Sequence, residues 1–253
     1  MNDQFAQAKK FKITLDTLQV SENEYVKNYD PKSFFGIGEL QDEIDFLNVN
    51  QELMDACLFF CINKLRKKYH RQQLVFDQQL YKLGLTYTKT NSSSNFDNDG
   101  KDQIKVEKSV KYFTKQESFH AKQIHPTVHN IKLMNMKGVR GYYYNKGAVT
   151  SDESEWGLYK GNSKYKNDTT KVHEEIEPMT YLEFCDQVSK QFMQQSKQII
   201  KNKAFSLGAC SVMFDPKTLF KNKIPSVKVI FIYAGKRTAL ISNEDFDTSI
   251  YGD

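Results

Sequence analysis

Two pairs of possible metal ligands in this sequence are each separated by three residues. Cys57 and Cys61 form one pair, and His125 and His129 form the other. Zinc sites often combine two such pairs around one ion. Both cysteines, however, fall on the apolar stripe of a predicted helix, where a thiol packs as a small hydrophobic side chain. We therefore expect Cys57 and Cys61 to be packed thiols, and the sequence predicts no metal and no other cofactor.

One further cysteine lies in a setting that a nucleophile could use. Cys210 follows a Gly-Ala pair, and His129 or His173 could act as its general base. The helical pattern at 51–69 is also loosely similar to that of the SUMO-protease class of cysteine peptidases. That class has a His-Trp pair, whereas the one tryptophan here, Trp156, follows a glutamate. We therefore interpret Cys210 as buried and unreactive and predict that the chain is not an enzyme. A divergent cysteine peptidase is the alternative.

A run of three tyrosines could stack on nucleic-acid bases. Basic residues flank the run, and a second basic and aromatic stretch follows downstream. Stacking of bases on aromatic side chains beside cations is typical of single-strand binding by OB folds. Alternation along a strand places Tyr142 and Tyr144 on one face and Tyr143 on the other. The candidate nucleic-acid contacts are Arg140, Tyr142, Tyr144, Lys146 and Lys160.

The composition describes a folded protein with a mild positive charge. Of the 253 residues, 39% are apolar and 13% are aromatic, which is enough to bury a core without disulfides. No apolar run approaches the roughly 20 residues of a membrane span, so no membrane partner is predicted. Residues 1–10 lack the apolar region of a secretory signal. The 36 basic and 31 acidic residues leave a net charge of +5, which predicts that any nucleic-acid contact is weak or indirect.

Hydrophobic periodicity predicts two long helices, at about 51–69 and about 180–203. In the first, apolar residues recur at spacings of three and four. The second opens on Thr180 and Glu183, whose spacing predicts a capping box. Between the two helices, the Ser- and Asn-rich stretch at about 90–102 is predicted to be a flexible loop.

The hydrophobic period changes to two after that loop, so residues 103–160 are predicted to be β-rich. Apolar alternation over 104–112 gives the first candidate strand. A Lys-Gly turn predicts a hairpin between strands near Ile131 and at 139–144. Alternation at 227–233 predicts a further strand.

One segment of this β-rich region resembles a known family. Its order is Val139-Arg140, then Thr150-Ser151-Asp152, then Glu153 and Glu155, then Trp156-Gly157-Leu158-Tyr159-Lys160-Gly161. This order resembles a segment of the telomeric OB-fold family that recruits telomerase and raises its processivity. In that family a strand opening on Val-Arg leads to a Thr-Ser-Asp turn, an acidic cluster and an aromatic-Gly-aromatic-basic-Gly run. The length and the Lys, Asn and Gln bias also resemble the N-terminal domain of OB-fold hub subunits in ciliate telomerase holoenzymes.

The resemblance implies a fold, a function and a site. The fold would be α+β, with one domain over 1–253 built on an OB-like antiparallel β-barrel core with added helices. The chain would be a non-catalytic scaffold in the nucleus that links the telomerase reverse transcriptase to other holoenzyme proteins. An acidic loop on a basic protein suits docking on a basic polymerase surface. The implied partner-binding residues are Asp152, Glu153, Glu155, Trp156 and Tyr159. A structural subunit of another large assembly is a second alternative.

Overall fold

The computed structural model describes these parts of the chain: 22–46, 48–90, 99–116, 124–132, 139–145, 158–159, 169–176, 179–197, 201–214 and 226–235. The helices are α1 Glu24–Asn28, α2 Pro31–Phe34, α3 Gln51–Lys68, α4 Gln78–Thr90, α5 Asp99–Gln116 and α6 Tyr181–Gln195, with a 3₁₀ helix at Gly38–Gln41. The strands are β1 Val75–Phe76, β2 His125–Lys132, β3 Val139–Asn145, β4 Leu158–Tyr159, β5 Thr169–Ile176, β6 Leu207–Phe214 and β7 Ser226–Ala234.

The seven strands form two sheets. Four strands make a mixed sheet in the order β1-β6-β7-β2, in which β1 is parallel to β6 and the other pairs are antiparallel. The other three make an antiparallel sheet in the order β4-β3-β5. The predicted α+β class is therefore confirmed. The strands that the structure describes do not, however, close into an OB barrel, because β1 and β2 remain the two edges of an open sheet.

Helices cover both faces of the four-stranded sheet. Alternate residues of β7 divide between two hydrophobic cores. Val229 and Phe231 pack in a core with α3 and α6, whereas Ile230 and Ile232 pack in a core with α4 and α5. A strand that is buried on both faces has a continuous apolar sequence, as Val-Ile-Phe-Ile-Tyr in β7 shows.

Helix α3 lies at the centre of the first core, and its position confirms the predicted helix at 51–69. Its start is capped by Asn50, whose side-chain oxygen accepts a hydrogen bond from Leu53 N at 3.1 Å. The Phe59 ring stacks on Phe231 of the sheet, with ring centroids 6.4 Å apart. Its last turn carries Arg66 and two lysines, a charge that the negative end of the helix dipole favours.

The prediction of strands from residue 103 onward is wrong for the first of them, since α5 covers this region. Val106 and Val110 are four residues apart and therefore share one helical face, which packs against Val128 and Ile230 of the sheet. Residues spaced by two and four match both periods, so the pattern alone could not separate a strand from a helix. The predicted loop at 90–102 is also too long, because α4 continues to Thr90 and α5 begins at Asp99; residues 91–98 lie outside the described residues.

The structure differs from two further predictions, a hairpin and the end of a helix. β2 and β3 are both strands, but they belong to different sheets, so the predicted hairpin between them is wrong. β2 instead pairs with β7, a contact between distant parts of the chain that a local turn signal cannot indicate. Helix α6 has the predicted capping box but ends at Gln195 instead of near 203, and Ser196 closes it with an N–H bond to Phe192 O at 2.8 Å. The strand predicted at 227–233 is confirmed as β7.

The burial of the helix α3 thiols leads to a stability prediction. Cys57 is fully buried in the first core, and its Sγ lies 3.6 Å from the carbonyl oxygen of Tyr181. We expect Cys57→Ala to lower the free energy of unfolding by about 1–2 kcal/mol, because a small cavity replaces the sulfur. Urea denaturation measures this loss as a lower midpoint, with an unchanged slope of the unfolding free energy against urea concentration. An unaltered denaturation midpoint would contradict the packed-thiol interpretation. So would stoichiometric zinc in the wild-type protein that is lost in Cys57→Ala.

Candidate functional site

The three-stranded sheet carries part of the segment that resembles the telomeric family. β3 opens on Val139, and Gly141 and Tyr142 pair with Tyr159 and Leu158 of β4. On the other side, Arg140 pairs with Glu175 of β5. Arg140, Tyr142 and Tyr144 are alternate residues of β3, and Tyr159 of β4 pairs with Gly141.

The remaining predicted site residues lie outside the described residues. These are Asp152, Glu153, Glu155 and Trp156 among the partner contacts, and Lys146 and Lys160 among the nucleic-acid contacts. By chain order, the acidic residues belong to the connection that leaves β3 after Asn145 and returns at Leu158. The strands that bound this stretch in the sequence, β3 and β4, pair with each other.

A cleft of about 500 Å³ lies beside β2, the edge strand of the four-stranded sheet. Its lining includes Glu107, Lys111, His125, Thr127, His129 and Ser196. Thr127 is only 5% exposed, and its hydroxyl has no hydrogen-bond partner among the described residues. The buried hydroxyl, the two imidazoles, the Glu107 carboxylate and the Lys111 ammonium provide hydrogen-bond donors and acceptors for a polar group.

The two histidines of this cleft contact different side chains. His129 Nε2 shares a hydrogen bond with Ser196 Oγ, and its ring lies edge-on to Phe192 at 5.1 Å. His125 lies edge-on to Phe205 at 5.4 Å. Within the described ranges, no group of three or more His, Cys, Asp or Glu residues is arranged to hold a metal ion.

Side chains from helices occupy both edges of the four-stranded sheet. At the β2 edge, Gln103 of α5 accepts a hydrogen bond from Val128 N at 2.9 Å and donates one to Pro126 O at 2.7 Å. At the β6 edge beyond the short β1, Asp55 accepts from Val212 N at 2.8 Å, and Gln51 donates to Val212 O at 2.7 Å. These side chains take the hydrogen bonds that a further strand would take. At Pro126, Val128 and Val212 the sheet edge is therefore poorly suited to recruiting a partner strand.

Asp55 is the centre of a buried polar network. Its carboxylate is fully buried and accepts hydrogen bonds from Gln51 Nε2 at 2.8 Å, from Val212 N and from the Tyr81 hydroxyl at 3.0 Å. Asn23, which caps α1, donates to the Tyr81 hydroxyl at 3.4 Å. Burial raises the pKa of the Asp55 carboxyl well above its usual range, against the opposing effect of its donors. This network joins α1, α3, α4 and β6.

Cys210 lies in the interior and not in a cleft. It is 2% exposed, and its thiol donates to the backbone carbonyl of Asp55 at 3.0 Å. Burial raises the pKa of the Cys210 thiol well above its usual value, and the nearby Asp55 carboxyl raises it further. A thiolate nucleophile needs the opposite shift. His129, one of its two suggested bases, is bonded to Ser196 instead.

No protein-family model, curated protein or solved structure matches this chain. Any functional conclusion therefore depends on the residues and geometry described above. In the part of the chain that the structure describes, each helix is too short or too polar to cross a membrane.

Sequence reasoning named His125 and His129 of the cleft but missed its other lining residues and the residues that protect the sheet edges. Gln103 and Asp55 are polar residues inside amphipathic or apolar helices, and that placement is the one local signal for them. Their partners lie 25 and 157 residues away along the chain. Only the folded topology brings Val128 and Val212 to these side chains.

The edge position of Gln103 leads to a prediction about association. Gln103→Ala removes both hydrogen bonds to β2, so Pro126 O and Val128 N lose their partners in α5. We expect a loss of about 1–2 kcal/mol in unfolding free energy and an increase in concentration-dependent self-association, since an open edge pairs readily. Sedimentation velocity over a range of protein concentrations measures the second effect. Lys108→Ala, at an exposed position of the same helix, is the control; equal behaviour of the two variants would refute the edge-protection role.

Proposed function

We propose that the chain is a non-catalytic scaffold subunit of a telomerase-type ribonucleoprotein in the nucleus. It docks on the reverse transcriptase through Asp152, Glu153 and Glu155, with Trp156 and Tyr159 as aromatic support. In doing so it links other holoenzyme proteins to the catalytic subunit and raises processivity. Its contact with nucleic acid is weak or indirect.

The observation that carries this proposal is the place of the acidic run in the topology. The Val-Arg pair opens β3, and Leu158-Tyr159 returns as β4 against the same strand. In chain order the acidic residues fall between two paired strands, and the segments that connect strands commonly carry binding residues. A local excess of acid on a chain of net charge +5 also suits a basic partner surface. We further propose that this three-stranded sheet is the OB-like part of the chain.

Two groups that could serve in catalysis are poorly placed for it, which supports a binding role. The Cys210 thiol is buried and its pKa is raised. Ser196 and His129 form the pairing of a nucleophile and a base, but Ser196 is 4% exposed and lies at the C-terminal end of α6. The carbonyl oxygens and dipole at that end disfavour a developing oxyanion.

Affinity purification of the chain, tagged at its chromosomal locus, tests the proposal. We expect a reverse transcriptase and its RNA to co-purify from nuclear extract, and the protein contact to survive nuclease treatment. An untagged strain is the control. Recovery of a different large assembly without a reverse transcriptase would favour the alternative of an unrelated structural subunit and would exclude the telomerase role.

A further inference from the structure

A buried arginine joins two basic segments at one end of the molecule. Arg66, in the last turn of α3, is fully buried and donates to backbone carbonyls of two segments. Its Nε bonds Gln72 O at 3.0 Å, and its Nη2 lies 3.2 Å from Phe205 O and 3.4 Å from Asn202 O. The end of α3 is thereby held against the stretch that leads into β6.

Cations on these two segments meet at the surface. Arg71 Nε donates to the backbone carbonyl of Lys201. In return, Lys201 Nζ lies 4.3 Å from the centroid of the Tyr69 ring, a cation–π contact. Exposed lysines flank this contact on both segments. The basic patch is defined as Lys67, Lys68, Tyr69, His70, Arg71, Lys201 and Lys203.

The charges of the basic patch are not neutralised within the described residues. Its lysines and Arg71 form no ion pair with a described carboxylate, whereas Lys27 and Lys190 elsewhere each do. Burial lowers the pKa of Arg66, and the like charge of the neighbouring Arg71 adds to that effect. Folding brings Arg71 and Lys201 together with no ion pair to a described carboxylate, so an external anion would be favoured there.

The residues around the basic patch help to distinguish three possible anionic partners: a lipid membrane, an acidic protein and a nucleic acid. Exposed apolar groups that insert strengthen the binding of a basic surface to a membrane, and a buried aromatic or apolar anchor strengthens protein docking. Among the described residues, the exposed large hydrophobic side chains are Tyr29, Val75 and Ile104, and none of them belongs to the patch. A phosphate backbone requires only cations in reach of successive phosphates. The patch therefore favours nucleic acid.

We propose that the basic patch binds the phosphate backbone of single-stranded nucleic acid. The site is separate from Arg140, Tyr142 and Tyr144, and it does not depend on the scaffold role proposed above. Its five permanent cations can neutralise few phosphates at once. Binding is therefore weak and sequence-tolerant, with a logarithmic salt slope of about −3.5 for about five contacts.

Fluorescence anisotropy with a labelled oligouridine RNA of about 20 nucleotides tests this site. The full chain is titrated between about 50 and about 200 mM salt. Lys67→Gln, Lys68→Gln and Lys201→Gln together should reduce the salt slope by about 2 and weaken binding about 10- to 100-fold at ~0.1 M salt. The matched control, Lys32→Gln, Lys108→Gln and Lys190→Gln, removes the same charge elsewhere and should retain most of the binding. Thermal melts of both variants establish that each is folded.

Four outcomes would overturn the proposal. The first is the absence of RNA binding by the folded wild-type chain at the lowest salt. The second is an equal loss of affinity in the patch and control variants, which would indicate a diffuse charge effect. The third is a loss of binding in Tyr142→Ala or Tyr144→Ala with none in the patch variant, which would place the contact on β3. Binding to vesicles of equimolar phosphatidylcholine and phosphatidylserine, but not to RNA, would indicate a membrane surface and contradict the proposal equally.

Discussion

Replacing Asp55 with leucine should destabilise the protein by about 3–5 kcal/mol, the largest stability change that we expect from one substitution. The substitution removes the acceptor of Val212 N and of the Tyr81 hydroxyl and one acceptor of Gln51 Nε2. Each buried donor left unpaired costs about 1–3 kcal/mol, while the added methyl groups have no cavity to fill. Asp55→Asn keeps an acceptor oxygen and is the matched control. Urea denaturation of the two variants measures the difference, and equal stability would contradict the network's role.

The same carboxyl should make stability depend on pH. Burial raises the pKa of Asp55 in the folded state above its value in the unfolded chain, which is about 3.9. The folded state therefore retains the proton to higher pH, and the free energy of unfolding attributable to this group decreases as pH rises from about 4 toward the folded pKa. In Asp55→Asn this decrease should disappear. An identical pH profile in wild type and in Asp55→Asn would show that the carboxyl is already ionised near its ordinary pKa.

Reversing the charge of the acidic run should remove the contribution of the chain to telomerase without unfolding it. Asp152→Lys, Glu153→Lys and Glu155→Lys together replace three acidic side chains with three basic ones, and interface charges mainly set the encounter rate and the register of docking. We expect repeat-addition processivity in a reconstituted assay to fall to the level of the enzyme without this chain. A thermal melt of the same variant should stay within a few degrees of wild type.

A matched variant separates this effect from net charge. Glu22→Lys, Glu24→Lys and Asp42→Lys change the charge by the same amount at three exposed positions. Glu22 and Glu24 form exposed ion pairs with Lys27, and Glu24 also accepts an exposed hydrogen bond from Asn28 at 3.1 Å. Exposed contacts of this kind contribute little to stability. This control should support processivity as wild type does. If the 152–155 variant raised processivity as much as wild type, the assignment of the docking site would be wrong. If both variants lost processivity equally, the loss would reflect overall charge and not this site.

The sequence predicted the parts of the fold that local chemistry determines. Helix α3 was predictable because its apolar residues recur at helical spacing and Asn50 can cap its start. The start of α6 was predictable from Thr180 and Glu183, whose two reciprocal hydrogen bonds are present at 3.2 and 3.1 Å. β7 was predictable from the apolar residues at every second position from Val227 to Tyr233, although the strand is in fact apolar without a break from Val229 onward.

The parts that the sequence could not predict depend on distant contacts. Val106 and Val110 match both a strand and a helix, and only packing against Val128 and Ile230 selects α5. β2 pairs with β7 and not with its neighbour β3, so the turn between them says nothing about the partner. The cleft and the edge-protecting side chains arise from the same long-range topology. The acidic run was visible in the sequence through its resemblance, and it lies between β3 and β4 in chain order, outside the described residues.

Direct binding of the purified chain to a purified telomerase reverse transcriptase tests the central claim most simply. Biolayer interferometry with the immobilised chain measures the affinity for the polymerase in the presence and absence of RNA. We predict saturable binding that does not require RNA, a loss of at least about tenfold in affinity for the 152–155 charge reversal, and little change for the control reversal. No measurable binding by the folded wild-type chain, or equal affinity for wild type and the 152–155 variant, would contradict the account.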